Sequence, residues 1–326
     1  MLEIDGSHGE GGGAILRTAV ALAAVSGKAC RITNIRAKRK NPGLQAQHAT
    51  AVDAVAKRCA AEVKGNAIGS TTLEFAPHEI RGGSLSLNVG TAGSVALVLQ
   101  ALMIPAMHCK KPLDIKIQGG TMNRWAPTIG YMQNVTLAAL STFGYDGELN
   151  LLRHGFYPQG GGLVEAVIRP AQMKRIDMPE RGELQSLEGS CIISKDLQKQ
   201  QVAERMQKYA RQRLFDEFQL APRIQVEYVD STSTGGGQDI FAAYEHAVIG
   251  SNAIAERGRR AEDVAKEAID MLVNAHQSNA PVDLHVWDSA NTAYLAGGNR
   301  RLARKLDAQH SDVVLLDHEG GGLVLH

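Results

Sequence analysis

A run of three glycines stands near the N-terminus of this 326-residue chain, in "GEGGGAILR", directly before a helix-like stretch of small apolar residues. The first N–H groups of a helix lack partners within the helix, so they can bind an anion that comes close to the backbone. Arg17 falls on the first turns of this helix and would add a positive charge. Because glycine runs more often make plain turns, a turn and a phosphate cradle both stay open here.

A second group of polar residues follows in "IRAKRKNPGLQAQH". Arg36 and Arg39 end a predicted strand, and a Pro-Gly pair opens a helix that carries Gln47 and His48. Two arginines beside a helix N-terminus suit a phosphate or a nucleic-acid backbone. A solvated basic loop would have the same composition, so the pattern alone does not decide between the two.

Two further sets of candidate residues lie later in the chain. A second glycine run, Gly160–Gly162, follows "RHGFYP" and is explained by a hairpin with close backbone packing. Asp283, His285 and Asp288 alternate in "VDLHVWDS" and could bind a metal or orient a base, although their spacing is a weak signal. His310, in "LDAQHSDVV", has no distinguishing neighbours of its own.

The elements that must position these residues recur along the chain. Strand, helix, strand, helix and a strand pair are predicted over about the first 75 residues, and a similar order follows up to about residue 170. The polar stretch near residue 180 then leads into strands and helices of different composition. We therefore predict a large repeat domain of residues 1–178 and 276–326, with a small α+β domain inserted at 179–275.

Composition excludes several classes of protein. Lys+Arg number 35 and Asp+Glu 34, so net charge does not indicate a polyanionic partner. None of the four cysteines forms a C-x-x-C pair, and we predict reduced core thiols in a cytoplasmic protein. The N-terminus does not predict a signal peptide, and "SVALVLQALMIPAM" is too short for a membrane span and predicts a buried helix.

Taken together, the motifs resemble the RNA 3'-terminal phosphate cyclase family. The matching stretches are "IDGSHGEGGGAILRTAVALAAVSGK", "IRAKRKNPGLQAQHATAV", "TAGSVALVLQALM", "GGTMNRWAP" and "RHGFYPQGGG", with a weaker match in "IGSNAIAERGRRAEDVAKEA". The resemblance covers most of the chain up to about residue 285, and the joint order and spacing of the motifs are specific.

The resemblance implies a fold and a reaction. The fold would be α+β, with three tandem repeats of two helices on a four-stranded sheet and a small inserted thioredoxin-like domain. The reaction would convert an RNA 3'-phosphate end to a 2',3'-cyclic phosphate with ATP and a divalent metal, Mg or Mn, through a covalent histidine–AMP intermediate. RNA 3'-phosphate ends and ATP would be the partners, without a membrane, and the exposed faces of the repeats could support a homodimer.

The resemblance also implies roles for residues at matching positions. His310 would be the nucleophile by spacing, and Glu10 could help to place the metal. The nucleotide would contact Gln100, His285, Val286, Trp287, Asp288 and Ser289. The substrate phosphate and RNA would contact Glu10, Arg17, Arg36, Arg39, Gln47 and His48.

The chain departs from the family pattern at several positions. Ala14 replaces a usual Gln, and Ser289 replaces another Gln. The stretch that begins at His310 is "HSDVV", where the family has H-x-x-T-N. These departures keep a second hypothesis open, a non-catalytic cyclase-like protein that binds RNA in ribosome assembly or RNA processing. An enolpyruvyl-transferase-like enzyme is a third hypothesis, against which "RHGFYPQGGG" argues.

Overall fold

A computed structural model describes residues 1–9, 11–174, 180–280, 282–283, 314–316 and 323–325. The last two segments are the strands β13 (Val314–Leu316) and β14 (Leu323–Leu325), which pair antiparallel.

The first repeat is a four-stranded sheet with two helices. Its elements are β1 (Leu2–Asp5), α1 (Ala14–Ser26), β2 (Cys30–Thr33), α2 (Ala46–Cys59), β3 (Glu62–Lys64) and β4 (Leu73–Ala76). The strand order is β1-β2-β4-β3, with β1 and β2 parallel and the other pairs antiparallel. Both the β1–α1 loop and the β2–α2 loop therefore leave the sheet at the same end.

The second repeat has the same topology. Its elements are β5 (Gly83–Asn88), α3 (Val95–Ala106), β6 (Leu113–Gly119), α4 (Ile129–Tyr131), a π-helical turn (Met132–Thr136), α5 (Leu137–Thr142), β7 (Gly147–Arg153) and β8 (Gly162–Ile168). The order β5-β6-β8-β7 and its strand directions match those of the first sheet. The prediction of two tandem units is thus confirmed, although the second helix of this unit is interrupted by the π turn.

Helix α3 lies at the centre of the large hydrophobic core. All of its residues except Gln100 are buried, as expected for a helix that is apolar on every side. Ser94 caps its N-terminus by accepting a hydrogen bond from the Leu97 N–H at 3.3 Å. Both α1 and α2 pack on this helix, so one core serves both repeats.

A separate unit with its own core begins after residue 183. Its elements are β9 (Leu184–Ser194), a 3-10 helix (Lys195–Gln200), α6 (Val202–Phe218), β10 (Arg223–Val229), β11 (Gly236–Tyr244), β12 (Val248–Ile254) and α7 (Ala261–Gln277). The sheet order is β10-β9-β11-β12, and α6 and α7 pack on the sheet and on each other. We call these elements the small unit.

The α+β class is therefore confirmed, with three four-stranded sheets among the described residues. The third such sheet belongs to the small unit. A third repeat would fall mostly outside the described residues and stays a prediction, as do the exact domain division and the thioredoxin likeness. Cys30, Cys59, Cys109 and Cys191 are buried and unpaired, as predicted. Within the described ranges, no helix is long and apolar enough to cross a membrane.

Two buried carboxylates join the second repeat to the small unit. Asp239 on β11 accepts a hydrogen bond from the Thr128 hydroxyl at 2.6 Å, and its other oxygen has no partner among the described residues. Asp283 accepts hydrogen bonds from the Tyr131 hydroxyl and, at 2.9 Å, from the Gly250 N–H. Burial raises the pKa of Asp239 to about 7, against the opposing effect of the Thr128 bond.

We expect the Asp239 carboxyl to make stability depend on pH. In the unfolded chain its pKa is near 3.8, so the folded state binds the proton more tightly. The contribution of the protonated carboxyl is complete below about pH 4 and is lost as pH rises to about 7. Asp239→Asn should therefore unfold at higher urea than the wild type at pH 7.5 and show a flatter pH dependence between pH 4 and 7.

Urea titrations across this pH range measure the effect, with Asp230→Asn as the matched control because its side chain is 85% exposed. If the stabilities of the wild type and Asp239→Asn changed with pH in parallel, the raised pKa of Asp239 would be contradicted.

Candidate active site

The first glycine run lies against side chains from the loop between β2 and α2. A Cβ added to Gly11 would lie 2.9 Å from Lys38 Cγ, one on Gly12 3.0 Å from Arg39 Nη2, and one on Gly13 2.2 Å from His48 Nε2. The ammonium group of Lys38 also donates to the Gly9 carbonyl at 2.8 Å. Each glycine of the run therefore leaves room for a basic or imidazole side chain.

His48 is the most buried polar side chain in this cluster. It is 4% exposed, and its Nδ1 accepts a hydrogen bond from the Gln45 N–H at 3.2 Å. Burial, helped by the nearby charges of Arg17 and Arg36, lowers the pKa of its imidazole to about 3. His48 is thus neutral at pH 7, and because Nδ1 accepts, the proton lies on Nε2, the atom that faces Gly13.

Arg17 approaches the same glycine from α1. A Cβ on Gly13 would lie 3.2 Å from Arg17 Nη1. Burial lowers the pKa of this guanidinium to about 10, and no carboxylate among the described residues shifts it back. Since this value is well above neutral pH, Arg17 supplies a partly desolvated positive charge beside the N-terminus of α1.

The two arginines of the β2–α2 loop have different positions. Arg36, at φ 56°, donates from Nη1 to the carbonyls of Asn41 at 2.7 Å and Gly43 at 2.8 Å. It therefore holds the shape of its own loop, and burial lowers its pKa, helped by the charge of Arg39. Arg39 is exposed and lies over Gly12, where its guanidinium can reach a bound anion.

The two predicted glutamines occupy the centre of the repeat pair. Gln47 Oε1 accepts a hydrogen bond from the Ser94 N–H at 2.8 Å, so this side chain joins α2 to the start of α3. Gln100 is the one partly buried residue of α3. The structure thus brings Arg17, Arg39 and His48 together at the glycines and gives Gln47 an additional role between the repeats.

Lys38 and Gln45 belong to the cluster but were not singled out in the sequence. Lys38 falls inside the basic run "RAKRK", where spacing does not show which side chain turns towards the glycines. Gln45 acts through its backbone N–H. Because every residue except proline has this group, the residue type does not reveal the role.

Several predicted site residues lie outside the described ranges. They are Glu10, His285, Val286, Trp287, Asp288, Ser289 and His310. Asp283 is described, and its hydrogen bonds to Tyr131 and Gly250 place it between the second repeat and the small unit. In the part of the chain that the structure describes, no group of three or more His, Cys, Asp or Glu could hold a metal ion.

The second glycine run packs against neighbouring backbone and threonine side chains. A Cβ on Gly160 would lie 2.7 Å from the Thr91 carbonyl oxygen, and one on Gly162 would lie 2.5 Å from Thr121 Cγ2. Gly160 and Gly161 also have φ values of 75° and 77°, which glycine adopts without strain. These contacts support the architectural interpretation of this run.

Arg17, Lys38, Arg39 and neutral His48 thus surround three glycines and the start of a helix. Fixed N–H donors and positive charges in this arrangement suit a phosphate group or another oxyanion. The neutral imidazole can donate a hydrogen bond from Nε2 without adding charge, so it can orient a bound oxyanion.

Comparisons with known proteins agree with this chemistry. The family model described as RNA 3'-terminal phosphate cyclase matches residues 8–314. A protein named RNA 3'-terminal phosphate cyclase from Archaeoglobus fulgidus is 43% identical over 295 residues, covering 88% of this chain and 85% of the relative. Proteins of the same name from Methanosarcina barkeri (40% identical, covering 92% and 88%) and Pyrococcus furiosus (39%, covering 88% and 84%) are also similar.

Among solved structures, the enolpyruvyl transferase NikO from Streptomyces tendae matches with a TM-score of 0.26 and 10% identity. The match covers 51% of this chain and 32% of that protein, and a likeness of this size carries no functional argument.

We expect His48 to stay neutral through the physiological pH range, in the Nε2–H form. Its pKa of about 3 places protonation well below pH 5. Nitrogen chemical shifts of 15N-labelled histidine, assigned with His48→Gln as the reference spectrum, measure both the tautomer and the titration. A His48 resonance that titrates near pH 6.5, or one that reports Nδ1–H, would contradict the proposed hydrogen bond from Gln45.

We expect Gly13→Ala to weaken anion binding. The backbone of Gly13 (φ −91°, ψ −3°) suits alanine, so the effect would come from the contact of the new methyl group with His48, 2.2 Å away. Titration calorimetry with inorganic pyrophosphate should show affinity lowered on the order of 10-fold, equivalent to about 1.4 kcal/mol. Ser26→Ala is the matched control, because Ser26 is exposed at the other end of α1 and should leave the affinity unchanged. Equal affinities for the two variants would refute the role of this contact.

Proposed function

Because this chain belongs to the RNA 3'-terminal phosphate cyclase family, we propose that it converts RNA 3'-terminal phosphates to 2',3'-cyclic phosphates with consumption of ATP. The observation that carries the proposal is the contact of the Gly11–Gly13 run with Arg39 and His48. This arrangement supplies positive charge and hydrogen-bond donors for an oxyanion such as a phosphate group. The relatives named as cyclases match most of this chain, and the family model matches residues 8–314, which include this site.

The proposed chemistry solves a problem of reactivity. A phosphate monoester is a poor electrophile, because it carries negative charge and lacks a good leaving group. In the proposed first step, a histidine nitrogen attacks the α-phosphorus of ATP and pyrophosphate leaves. The RNA 3'-phosphate oxygen then attacks the same phosphorus and releases the histidine. Finally, the neighbouring 2'-hydroxyl attacks the activated 3'-phosphorus, loses its proton and expels AMP.

The described residues would act mainly by binding and orienting phosphate. Arg17 and Arg39 would balance the charge of the terminal phosphate, and the free N–H groups at the start of α1 would add hydrogen bonds. His48 would donate from Nε2 to a phosphate oxygen. Because its pKa is about 3, it would stay a hydrogen-bond donor of fixed direction throughout the reaction. Arg36 would preserve the loop that carries Arg39.

Nucleotide and metal binding rest on the family pattern. Gln100 and the stretch from His285 to Ser289 are the proposed nucleotide contacts, with Asp288 near the nucleophile His310. Glu10 is the proposed metal residue. The described residues contain no group of three or more His, Cys, Asp or Glu that could hold a metal ion, and the roles given above are those of protein side chains alone.

We also propose a cytoplasmic location. Four buried, unpaired thiols suit a reducing compartment. A homodimer stays a prediction.

The non-catalytic alternative rests on the divergent C-terminal part. The sequence departs from the family pattern at Ser289 and after His310, while the Arg17, Arg39 and His48 cluster is present. A protein of that kind would bind RNA ends without transferring AMP. The two functions therefore differ in one observable product, the covalent nucleotide adduct.

We expect α-labelled ATP to label the wild type in the presence of a divalent metal and to leave His310→Asn unlabelled. The adduct should be stable to base and labile to acid, as a phosphoramidate is. His318→Asn is the matched control and should be labelled like the wild type on a denaturing gel. Label on His310→Asn would place the nucleophile elsewhere, with His285 next to test. A folded wild type without label would contradict the enzyme and favour the non-catalytic alternative.

A further inference from the structure

Two loops lie at one end of the sheet of the second repeat, the end that matches the phosphate-site end of the first. The loop between β6 and α4, residues 120–128, corresponds to the β2–α2 loop that carries Arg36 and Arg39. The β7–β8 hairpin lies beside it, because the Thr121 N–H donates to the Gly155 carbonyl at 2.9 Å and the Gly155 N–H donates to Thr121 Oγ1 at 3.0 Å. Topology therefore presents these two loops at one end of the sheet.

Trp125 in the first of these loops is almost wholly exposed. Its relative exposure is 87%, which is unusual for a side chain of this size. Its backbone also has a φ of 59°, in the left-handed region that a bulky residue adopts only with strain. The fold thus keeps a large aromatic ring in solvent, although burying it would add stability.

Arg124 covers one face of this ring. Its guanidinium carbon lies 4.9 Å from the indole centroid, in a cation–π contact. Arg124 Nη1 also pairs with Glu256 of the small unit at 3.1 Å. Because Glu256 balances much of its charge, the guanidinium orients the indole more than it attracts phosphate. The opposite ring face stays open to a flat, uncharged partner.

Tyr157 adds a second exposed aromatic ring. It lies in the β7–β8 hairpin and is 77% exposed, whereas the preceding Phe156 is 2% exposed and anchors the hairpin among Met122 and Ile192. The hairpin therefore presents one ring to solvent from a packed base. We call Arg124, Trp125 and Tyr157 the aromatic surface.

A series of contacts connects the helix of the phosphate site with the loop that carries Trp125. Gln47 precedes His48 on α2, and its side chain accepts a hydrogen bond from the Ser94 N–H. Ser94 pairs in a parallel bridge with Gly120, the residue that opens the Trp125 loop. Direct contacts thus connect the helix that carries His48 with the loop that carries Trp125.

We propose that the aromatic surface binds the unpaired bases that precede the 3'-terminal phosphate of the RNA, by stacking. This proposal rests on the proposed function and adds to it a binding site for the single-stranded 3' end. Stacking on aromatic rings tolerates any base, since every base has a π face. The arrangement therefore selects single-stranded ends without selecting sequence.

The test compares 3'-phosphorylated oligonucleotides of two and eight nucleotides, with affinities measured by fluorescence anisotropy. Trp125→Ala should weaken binding of the eight-nucleotide RNA on the order of 10-fold and leave binding of the dinucleotide unchanged. Trp125→Phe should restore most of the loss. Phe215→Ala removes another exposed aromatic side chain, on α6, and serves as the matched control.

An eight-nucleotide RNA with abasic sugars before the last two positions separates stacking from backbone contacts. The wild type should bind it as weakly as Trp125→Ala binds the full RNA. Unchanged binding in Trp125→Ala, or an equal loss for both lengths, would overturn the aromatic surface. Failure of the proposed function gives a different result, because α-labelled ATP would then leave the folded wild type unlabelled, whereas the dependence of RNA affinity on Trp125 would persist.

Discussion

The site depends on the absence of side chains at Gly11, Gly12 and Gly13. A single added carbon at Gly13 would lie 2.2 Å from His48 Nε2, so the imidazole can reach the helix start only because this residue is glycine. The buried imidazole in turn stays neutral and in one tautomer through the Gln45 N–H. Arg17 then brings the charge that the imidazole lacks. Close backbone approach therefore determines both the geometry and the electrostatics of the cluster.

The repeat architecture connects this site with the rest of the molecule. Identical strand order in two sheets places equivalent loops at the same end, and the Gln47–Ser94 hydrogen bond connects them at 2.8 Å. The small unit contacts this end as well, where Thr232 donates to the Gly160 carbonyl at 3.0 Å. Buried carboxylates, Asp239 foremost, fix the other side of that contact. Hydrogen bonds therefore connect the helix of the phosphate site with the second repeat, and the second repeat with the small unit.

Periodicity and glycine placement predicted much of this fold, because strands and apolar helices leave a direct pattern in sequence. The buried α3 and the order of strands and helices along two repeats follow such patterns. The π turn at Met132–Thr136 was not predictable, since it inserts one residue without changing composition. Arg17, Arg39 and His48 were identified from residue type and family position. The loop-shaping bonds of Arg36 and the inter-repeat bond of Gln47 depend on backbone groups, which sequence does not display.

The central claim is that Arg17 and its neighbours recognise the phosphate at an RNA 3' end. The most direct measurement compares the affinities of one short RNA ending in a 3'-phosphate or a 3'-hydroxyl, for the wild type and for Arg17→Met. A charged hydrogen bond is worth about 1.5–3 kcal/mol, so the wild type should prefer the phosphate by roughly 10-fold or more. Arg17→Met should lose this preference and keep its affinity for the hydroxyl end. A wild type without preference, or a variant that retains it, would contradict the account.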